Sequence, residues 1–423
     1  MTLLGANAGL NPQSTRNWPS ILQAILSCIA ALWLFGQSAL LLVLWIAALL
    51  IPEAAFAEAG MLLALGLASL VIALLVLPSA VTAYYGIRGR TLPGWLAPKP
   101  SLRYWVINRS LICLPVILAL GTLTGARSAI AGFLLPILSV ISIGLPVVWL
   151  VSYGSWQLSG GSPQRKWGLL GMGLVFSPML IILLEIMVMV IVLIGFALWA
   201  STNPEVMGIL MELGQSISTA GTNLDETLET LLPYLTRPGV ILGTLITISV
   251  IVPLIEELFK TLGVWLLVGR KLTPGEGYVA GLLIGTGFAL VEGLFNLSSA
   301  TTGQEWLILS IGRIGGSLLH IFTGGLIGWG LACAWRAGKP AKYLSALTIS
   351  LFVHGLWNAL ALTPAFLPMI LYPGETDPAA HTLLFYLPVI LLGISLLVGF
   401  ILFSLRLRKM QPEHQLVPPT SLS

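Results

Sequence analysis

The sequence has few charged residues, histidines and cysteines. Only 9% of its residues are charged while 57% are hydrophobic, and the mean hydropathy is +0.97. So few charges cannot cover a water-exposed surface, which excludes a soluble globular domain. The formal net charge of +4 is explained by basic loops beside membrane segments. We therefore expect no nucleic-acid partner.

Cysteine chemistry and several hydrolase motifs are also excluded. The three cysteines, Cys28, Cys113 and Cys333, lie inside hydrophobic runs without C-x-x-C spacing, which excludes a disulfide framework and a thiolate metal site. The chain has no H-E-x-x-H motif, and no aspartate lies within a hydrophobic run. Zincin and aspartyl arrangements are thereby excluded.

Long apolar runs are abundant, and about 20 such residues can cross a ~30 Å hydrocarbon core as a helix. We predict an all-α fold, a polytopic transmembrane helix bundle of the cell membrane, embedded in the lipid bilayer. About ten spans are expected, at 20–51, 60–85, 105–124, 129–152, 168–200, 239–269, 278–299, 306–335, 343–362 and 382–405. A break at Gly36 and Gln37 could split the first run, but a single crossing fits better.

The loop charges predict the orientation of the bundle. Lysine and arginine collect in every second loop, and acidic residues dominate the intervening loops. The positive-inside rule then places both termini in the cytoplasm. The predicted organisation begins with a cytoplasmic segment, 1–19, five spans of unassigned role, 20–200, and an extracytoplasmic loop with an amphipathic helix, 201–238. A transmembrane core, 239–362, an outer loop and final span, 363–405, and a cytoplasmic tail, 406–423, follow.

Ionisable residues inside spans need a partner or a function, because each costs about 2.5 to 3.5 kcal/mol at the bilayer centre. The second half of the chain holds most of them, including two of the four histidines. Four lie about 11 to 15 residues from the nearest predicted cytoplasmic end, or ~17 to 22 Å at 1.5 Å per residue. They are Glu256, Glu292, His320 and His354. Because they share one depth, we expect their helices to form one site, opening toward the extracytoplasmic half.

Spacing adds further candidates to this site. Lys260 lies four residues after Glu256, Asn358 lies four after His354, and Arg313 lies two turns before His320. Glu257 is rotated by about 100° from Glu256, so the two carboxylates have different partners. The role of Glu185, in the fifth span, is left open.

Three kinds of chemistry suit this set of side chains. Imidazole and carboxylate groups can hold Zn²⁺ with an open position for water. Alternatively, a glutamate activates water without a metal while histidine and asparagine donors stabilise the oxyanion. Glutamate and histidine also form proton relays in secondary transporters. A proton-coupled transporter and a non-catalytic membrane scaffold therefore stay open as alternatives to an enzyme.

Four short motifs on consecutive spans resemble one family. "IEELFK" at 255–260, "FALVE" at 288–292, "RIGGSLLH" at 313–320 and "HGLWN" at 354–358 are similar to the PrsW family of intramembrane proteases, which is related to the CAAX-processing endopeptidases. The resemblance covers about residues 240–362. It implies a membrane-embedded peptidase acting on a membrane-anchored protein substrate. Since Glu292 stands where CAAX enzymes have histidine, it favours the PrsW branch.

The resemblance also implies roles for individual residues. Glu256 becomes the expected general base, supported by Glu257, and Asn358 becomes a donor to the oxyanion. Lys260 and Arg313 become charge partners of the acids, and Phe288 is a supporting residue. Glu292, His320 and His354 become candidate ligands of a possible Zn²⁺ or groups that position the water, and His354 is also a candidate catalytic residue.

Overall fold

A computed structural model describes residues 17–50, 56–96, 108–124, 129–220, 237–371 and 379–410. All regular elements within these ranges are helical. Nine described helices are long and apolar enough to span a membrane, namely Trp18–Leu49, Ala59–Arg88, Ile130–Ser155, Pro163–Ser201, Pro238–Trp265, Pro274–Leu297, Gly303–Ala337, Pro340–Pro364 and Leu384–Lys409. The chain is thus a multi-pass membrane protein, as predicted, and the orientation of its termini stays a prediction.

Only part of the third predicted span, 105–124, lies in the described residues. Its described part is the apolar helix Asn108–Thr122, whose 15 residues would reach only ~22 Å at 1.5 Å per residue. The described residues therefore supply nine candidate spans where we expected about ten. The first run, by contrast, is the single helix Trp18–Leu49 with no break at Gly36.

The helices are named in chain order. They are α1 (Trp18–Leu49), α2 (Phe56–Arg88), α3 (Leu114–Thr122), α4 (Ala129–Ser155), α5 (Pro163–Gly171), α6 (Ser177–Ser201), α7 (Pro204–Ala220), α8 (Pro238–Ile246), α9 (Val252–Phe259), α10 (Leu262–Trp265), α11 (Pro274–Leu297), α12 (Gly303–Ala337), α13 (Pro340–Leu371) and α14 (Ala379–Lys409). A 3₁₀ turn, Leu111–Cys113, precedes α3. The predicted amphipathic helix around 224–235 and most of both terminal segments lie outside the described residues.

Helices α11 and α12 form the buried centre of the bundle. Both begin with a capping box, in which Thr273 pairs with Glu276 and Thr302 pairs with Glu305. Glycines bring their backbones together: a Cβ at Gly281 would collide with the carbonyl oxygen of Gly324. Small residues at such a crossing allow close helix approach, and this approach positions the polar residues of both helices.

Two spans are interrupted by π-helical segments. Met172–Phe176 joins α5 to α6, and Thr247–Ile251 joins α8 to α9. The sixth predicted span, 239–269, is therefore not one regular helix. It consists of α8, a π-segment, α9 and, after a turn at Lys260 and Thr261, the short α10. Such π-segments occur often at functional sites, and this one directly precedes α9, the helix that carries the two adjacent glutamates.

Candidate active site

Four helices each contribute ionisable side chains to one cluster. Glu256 and Glu257 come from α9, Glu292 from α11, His320 from α12 and His354 from α13. The imidazole rings of His320 and His354 have centroids 5.0 Å apart. The depth comparison predicted this meeting, and the structure places the side chains together.

Glu257 is the centre of a buried ionic network. Its Oε1 lies 2.5 Å from Lys260 Nζ and 2.8 Å from His354 Nδ1. Thr323 donates its hydroxyl to the same oxygen at 3.2 Å and accepts a hydrogen bond from Lys260 at 2.9 Å. Glu257 and Lys260 are fully buried. A buried charge pair is tolerated when hydrogen bonds complete it, so Glu257 is a structural partner of Lys260 and His354.

Glu256 differs from its neighbour in where its unpartnered carboxylate oxygen lies. Glu257 Oε2 is also buried without a hydrogen bond, but Oε2 of Glu256 lies between two imidazole rings. The Oε2 atom has no hydrogen-bond partner, although the residue is only 7% exposed. It lies 3.8 Å from His320 Nδ1 and 3.7 Å from His354 Nε2. A buried oxygen of this kind requires a ligand such as water or a cation. Glu256 and Glu257 thus have different surroundings, and their roles as base and support stay predictions.

Glu292 lies at the partly exposed side of the cluster. Its Oε1 accepts a hydrogen bond from Arg313 Nη1 at 2.5 Å, and its Oε2 lies 2.7 Å from His320 Nε2. The side chains of Glu292 and Arg313 are 29% and 23% exposed. Glu292 therefore holds the far nitrogen of His320, the one that faces away from Glu256.

The remaining predicted site residues have packing or backbone contacts. Phe288 is buried and meets His320 edge-on, with ring centroids 4.9 Å apart. Asn358 donates its side-chain amide to the carbonyl oxygen of Ile248 at 2.9 Å. This amide hydrogen bond goes to the π-segment before α9, and the predicted oxyanion role of Asn358 stays untested.

A possible metal site uses a different carboxylate from the one expected. Glu256, His320 and His354 each offer a ligand atom, all within 4.8 Å of one another. Two histidines and a glutamate are a known zinc ligand set, and the unpartnered Oε2 of Glu256 fits that demand. Glu292, a predicted ligand, instead bonds the outer nitrogen of His320, as carboxylates do behind metal-binding histidines.

The charge of the cluster favours a cation as well. Glu185 on α6 interacts electrostatically with Glu292 and Glu256. The four carboxylates Glu185, Glu256, Glu257 and Glu292 face two cations, Lys260 and Arg313, which leaves a formal charge of −2. An uncompensated charge is costly inside a membrane, and either a divalent cation or protons bound by the buried carboxylates would remove it.

Two polar contacts were not predicted from the sequence. Thr323 lies one helical turn after His320, so spacing alone could have identified it. Ser177 on α6 donates its hydroxyl to the carbonyl oxygen of Lys260 at 3.1 Å. No local pattern indicates this second contact, because the two residues are 83 positions apart.

Comparison with known proteins gives one match. The sequence model of the PrsW family intramembrane metalloproteases matches residues 191–393. These residues include the four motifs that carried the resemblance. No curated protein and no solved structure matches the chain. Glu185 and Ser177 both lie before the matched segment.

Proposed function

From the premise that residues 191–393 are a PrsW family intramembrane protease domain, we propose that the protein hydrolyses a peptide bond of membrane-anchored proteins at the Glu256, His320 and His354 cluster. The observation that carries this proposal is the unpartnered Oε2 of Glu256, buried between two imidazole nitrogens. Glu257 Oε2 also lacks a hydrogen bond, but Oε2 of Glu256 is the one that lies within 4 Å of both imidazole rings. A hydrolase needs a buried polar atom at such a point to bind its reactive ligand.

The carboxylates of Glu257 and Glu292 orient the two histidines. Glu257 Oε1 accepts the Nδ1 proton of His354, which leaves Nε2 directed at Glu256. Glu292 Oε2 accepts the Nε2 proton of His320, which leaves Nδ1 on the side of Glu256. Lys260 Nζ also lies 3.3 Å from His320 Nδ1. A cation bound to this nitrogen would displace the hydrogen bond from Lys260. A water molecule could instead share it.

In the proposed reaction, Glu256 Oε2 accepts a proton from the attacking water, and the two histidines hold that water in position. The same carboxylate then returns the proton to the leaving amine. Burial of the cluster excludes bulk water, and the partly exposed side at Glu292 and Arg313 is the proposed approach for the substrate backbone.

In a metal-loaded site, Glu256, His320 and His354 would hold the Zn²⁺ expected for a metalloprotease, and Glu256 would then be a ligand instead of the proton acceptor. When bound, zinc would supply a Lewis acid that polarises the peptide carbonyl and makes water more acidic. The ligand set proposed here therefore has Glu256 in the place first given to Glu292, since Glu292 is engaged by Arg313 and His320.

The direct test replaces the reactive carboxylate with its uncharged isostere. We expect Glu256→Gln to abolish cleavage of a co-expressed library of membrane-anchored substrates, with a loss of at least ~10²-fold, the usual contribution of general base catalysis. Glu205→Gln is the matched control, because Glu205 is exposed on α7 away from the cluster. Unchanged cleavage by the Glu256 variant would refute the proposal. Proton-coupled substrate flux in vesicles without proteolysis would favour a transporter.

Metal content gives a second prediction. We expect about one zinc per purified chain by elemental analysis, with strong loss in His320→Ala and His354→Ala. Glu256→Gln separates the two roles of its carboxylate. Zinc lost together with cleavage identifies a ligand, whereas zinc retained without cleavage identifies the base alone. Negligible zinc in active wild-type protein would remove the metal from the mechanism.

A further inference from the structure

The π-segment Thr247–Ile251 leaves one backbone carbonyl without a donor from its own helix. The N–H of Val252 bonds the carbonyl of Thr247, five residues earlier. In a regular α-helix the same N–H would bond the carbonyl of Ile248. The next residue that could serve Ile248 is Pro253, which has no N–H. The π-segment and the proline together leave this carbonyl without a helical partner.

Helix α13 supplies the missing donor. Asn358 Nδ2 donates to the carbonyl oxygen of Ile248 at 2.9 Å. One turn earlier, Gly355 lets the two backbones approach, since a Cβ there would collide with the carbonyl oxygen of Ser249. That carbonyl is the one whose α-helical donor would have been Pro253. The α13 stretch from His354 to Asn358 thus packs against the carbonyls of Ile248 and Ser249, the two to which Pro253 cannot donate a hydrogen bond.

The π-segment also sets the direction of the glutamates. One extra residue in a helical turn rotates everything after it by about 100° relative to a regular helix. After this rotation Glu256 faces the two histidines and Glu257 faces Lys260 and Thr323. A slip to regular α-geometry would turn both carboxylates away from these partners.

We propose that Asn358 is a positioning residue, which holds the π-segment through the Ile248 carbonyl and so fixes the Glu256 carboxylate between His320 and His354. This inference rests on the proposed function and replaces the expected oxyanion role of Asn358. The asparagine acts through the backbone of α9 and does not touch the substrate.

The test restores the missing donor at its source. We expect Asn358→Ala to lower kcat by about 10- to 100-fold, the equivalent of one unsatisfied buried carbonyl, with KM changed less than about threefold. Pro253→Ala returns a backbone N–H that reaches the Ile248 carbonyl, five residues earlier, while the π-segment is kept. The Asn358→Ala/Pro253→Ala protein should therefore recover most of the lost kcat. Ser395→Ala is the control, because its hydroxyl donates to a carbonyl of its own helix at an exposed position of α14. We expect this control to keep wild-type kcat.

Three outcomes would overturn the inference. A double variant as slow as Asn358→Ala, with Pro253→Ala active, would place Asn358 on the substrate. An inactive Pro253→Ala protein would show that the proline itself, and not Asn358, holds the π-segment. Hydrogen exchange of the Val252–Phe259 amides gives a readout without catalysis. We expect faster exchange in Asn358→Ala and recovery in the double variant, and unchanged exchange in Asn358→Ala would also refute the inference. Wild-type cleavage by Glu256→Gln, with slow cleavage by Asn358→Ala, would instead refute the proposed function.

Discussion

The two adjacent glutamates of α9 contribute very differently to the stability of the folded protein. Glu257 neutralises the fully buried Lys260, and removing one member of a buried pair costs about 3 to 5 kcal/mol. We expect Glu257→Gln to lower the thermal unfolding midpoint in detergent strongly. Glu256→Gln removes a carboxylate without a hydrogen bond at Oε2 and should leave the midpoint nearly unchanged. Equal destabilisation by both variants would contradict this division.

At the same scale, the sequence predicted which residues meet but not which atoms pair. The depth of each residue along its span predicted that Glu256, Glu292, His320 and His354 meet, because the rise per residue of a helix is constant. The partner of Lys260 was not predictable from i,i+4 spacing, which favours Glu256. Helix α9 ends at Phe259, so Lys260 begins a turn and its amine bonds Glu257. Side-chain pairing near a helix end depends on the residue at which the helix ends. That residue is difficult to predict where the sequence stays apolar on both sides.

The contact between α11 and α12 gives a prediction for whole elements. A methyl group at Gly281 would collide with the backbone of α12, and overpacking usually costs about 1 to 3 kcal/mol. We expect Gly281→Ala to lower thermal stability and cleavage together, since the helices carry Glu292 and His320. Gly312→Ala on α12 is the control. Nothing lies within 4 Å of its added Cβ, so it should match or exceed wild-type stability. Equal losses in both variants would contradict the close approach.

Helix positions were mostly predictable, whereas helix interruptions were not. Hydrophobicity located the spans because burial in lipid requires continuous apolar runs. The π-segments at Met172–Phe176 and Thr247–Ile251 leave the apolar pattern intact and change only the backbone hydrogen-bond register. The same holds for the turn after Phe259, where the sequence stays apolar on both sides. Such features are set by tertiary contacts, including those of Asn358 and Ser177.

At the scale of the whole molecule, helices from the first half of the chain pack against α11 and α12, which carry site residues. Trp306, at the start of α12, is fully buried and donates its indole N–H to Ser139 of α4 at 2.9 Å. On the other side, a Cβ at Gly173 would collide with the carbonyl oxygen of Ile284 on α11. The helices before the family-matched segment therefore support the positions of α11 and α12. Their role was not predictable from the sequence, because these contacts are long-range.

A double-mutant cycle measures this support. We expect Ser139→Ala to cost about 1 to 3 kcal/mol of unfolding free energy, because it leaves a buried indole N–H without a partner. Trp306→Phe removes the same hydrogen bond, so the double variant should be less destabilised than the sum of the two single variants. Thermal unfolding in detergent provides the measurement. Strictly additive losses would show that the two residues are not coupled in the folded protein.

The hydrogen bond from Asn358 to Ile248 joins positions 110 residues apart, and it has an evolutionary consequence. The amide is needed because Pro253 cannot donate, and the proline is tolerated because the amide is present. Selection should therefore act on the two positions as a pair. Among relatives, we expect a proline three residues before the glutamate pair to occur with an asparagine four residues after the histidine. Lineages that lose one should soon lose the other.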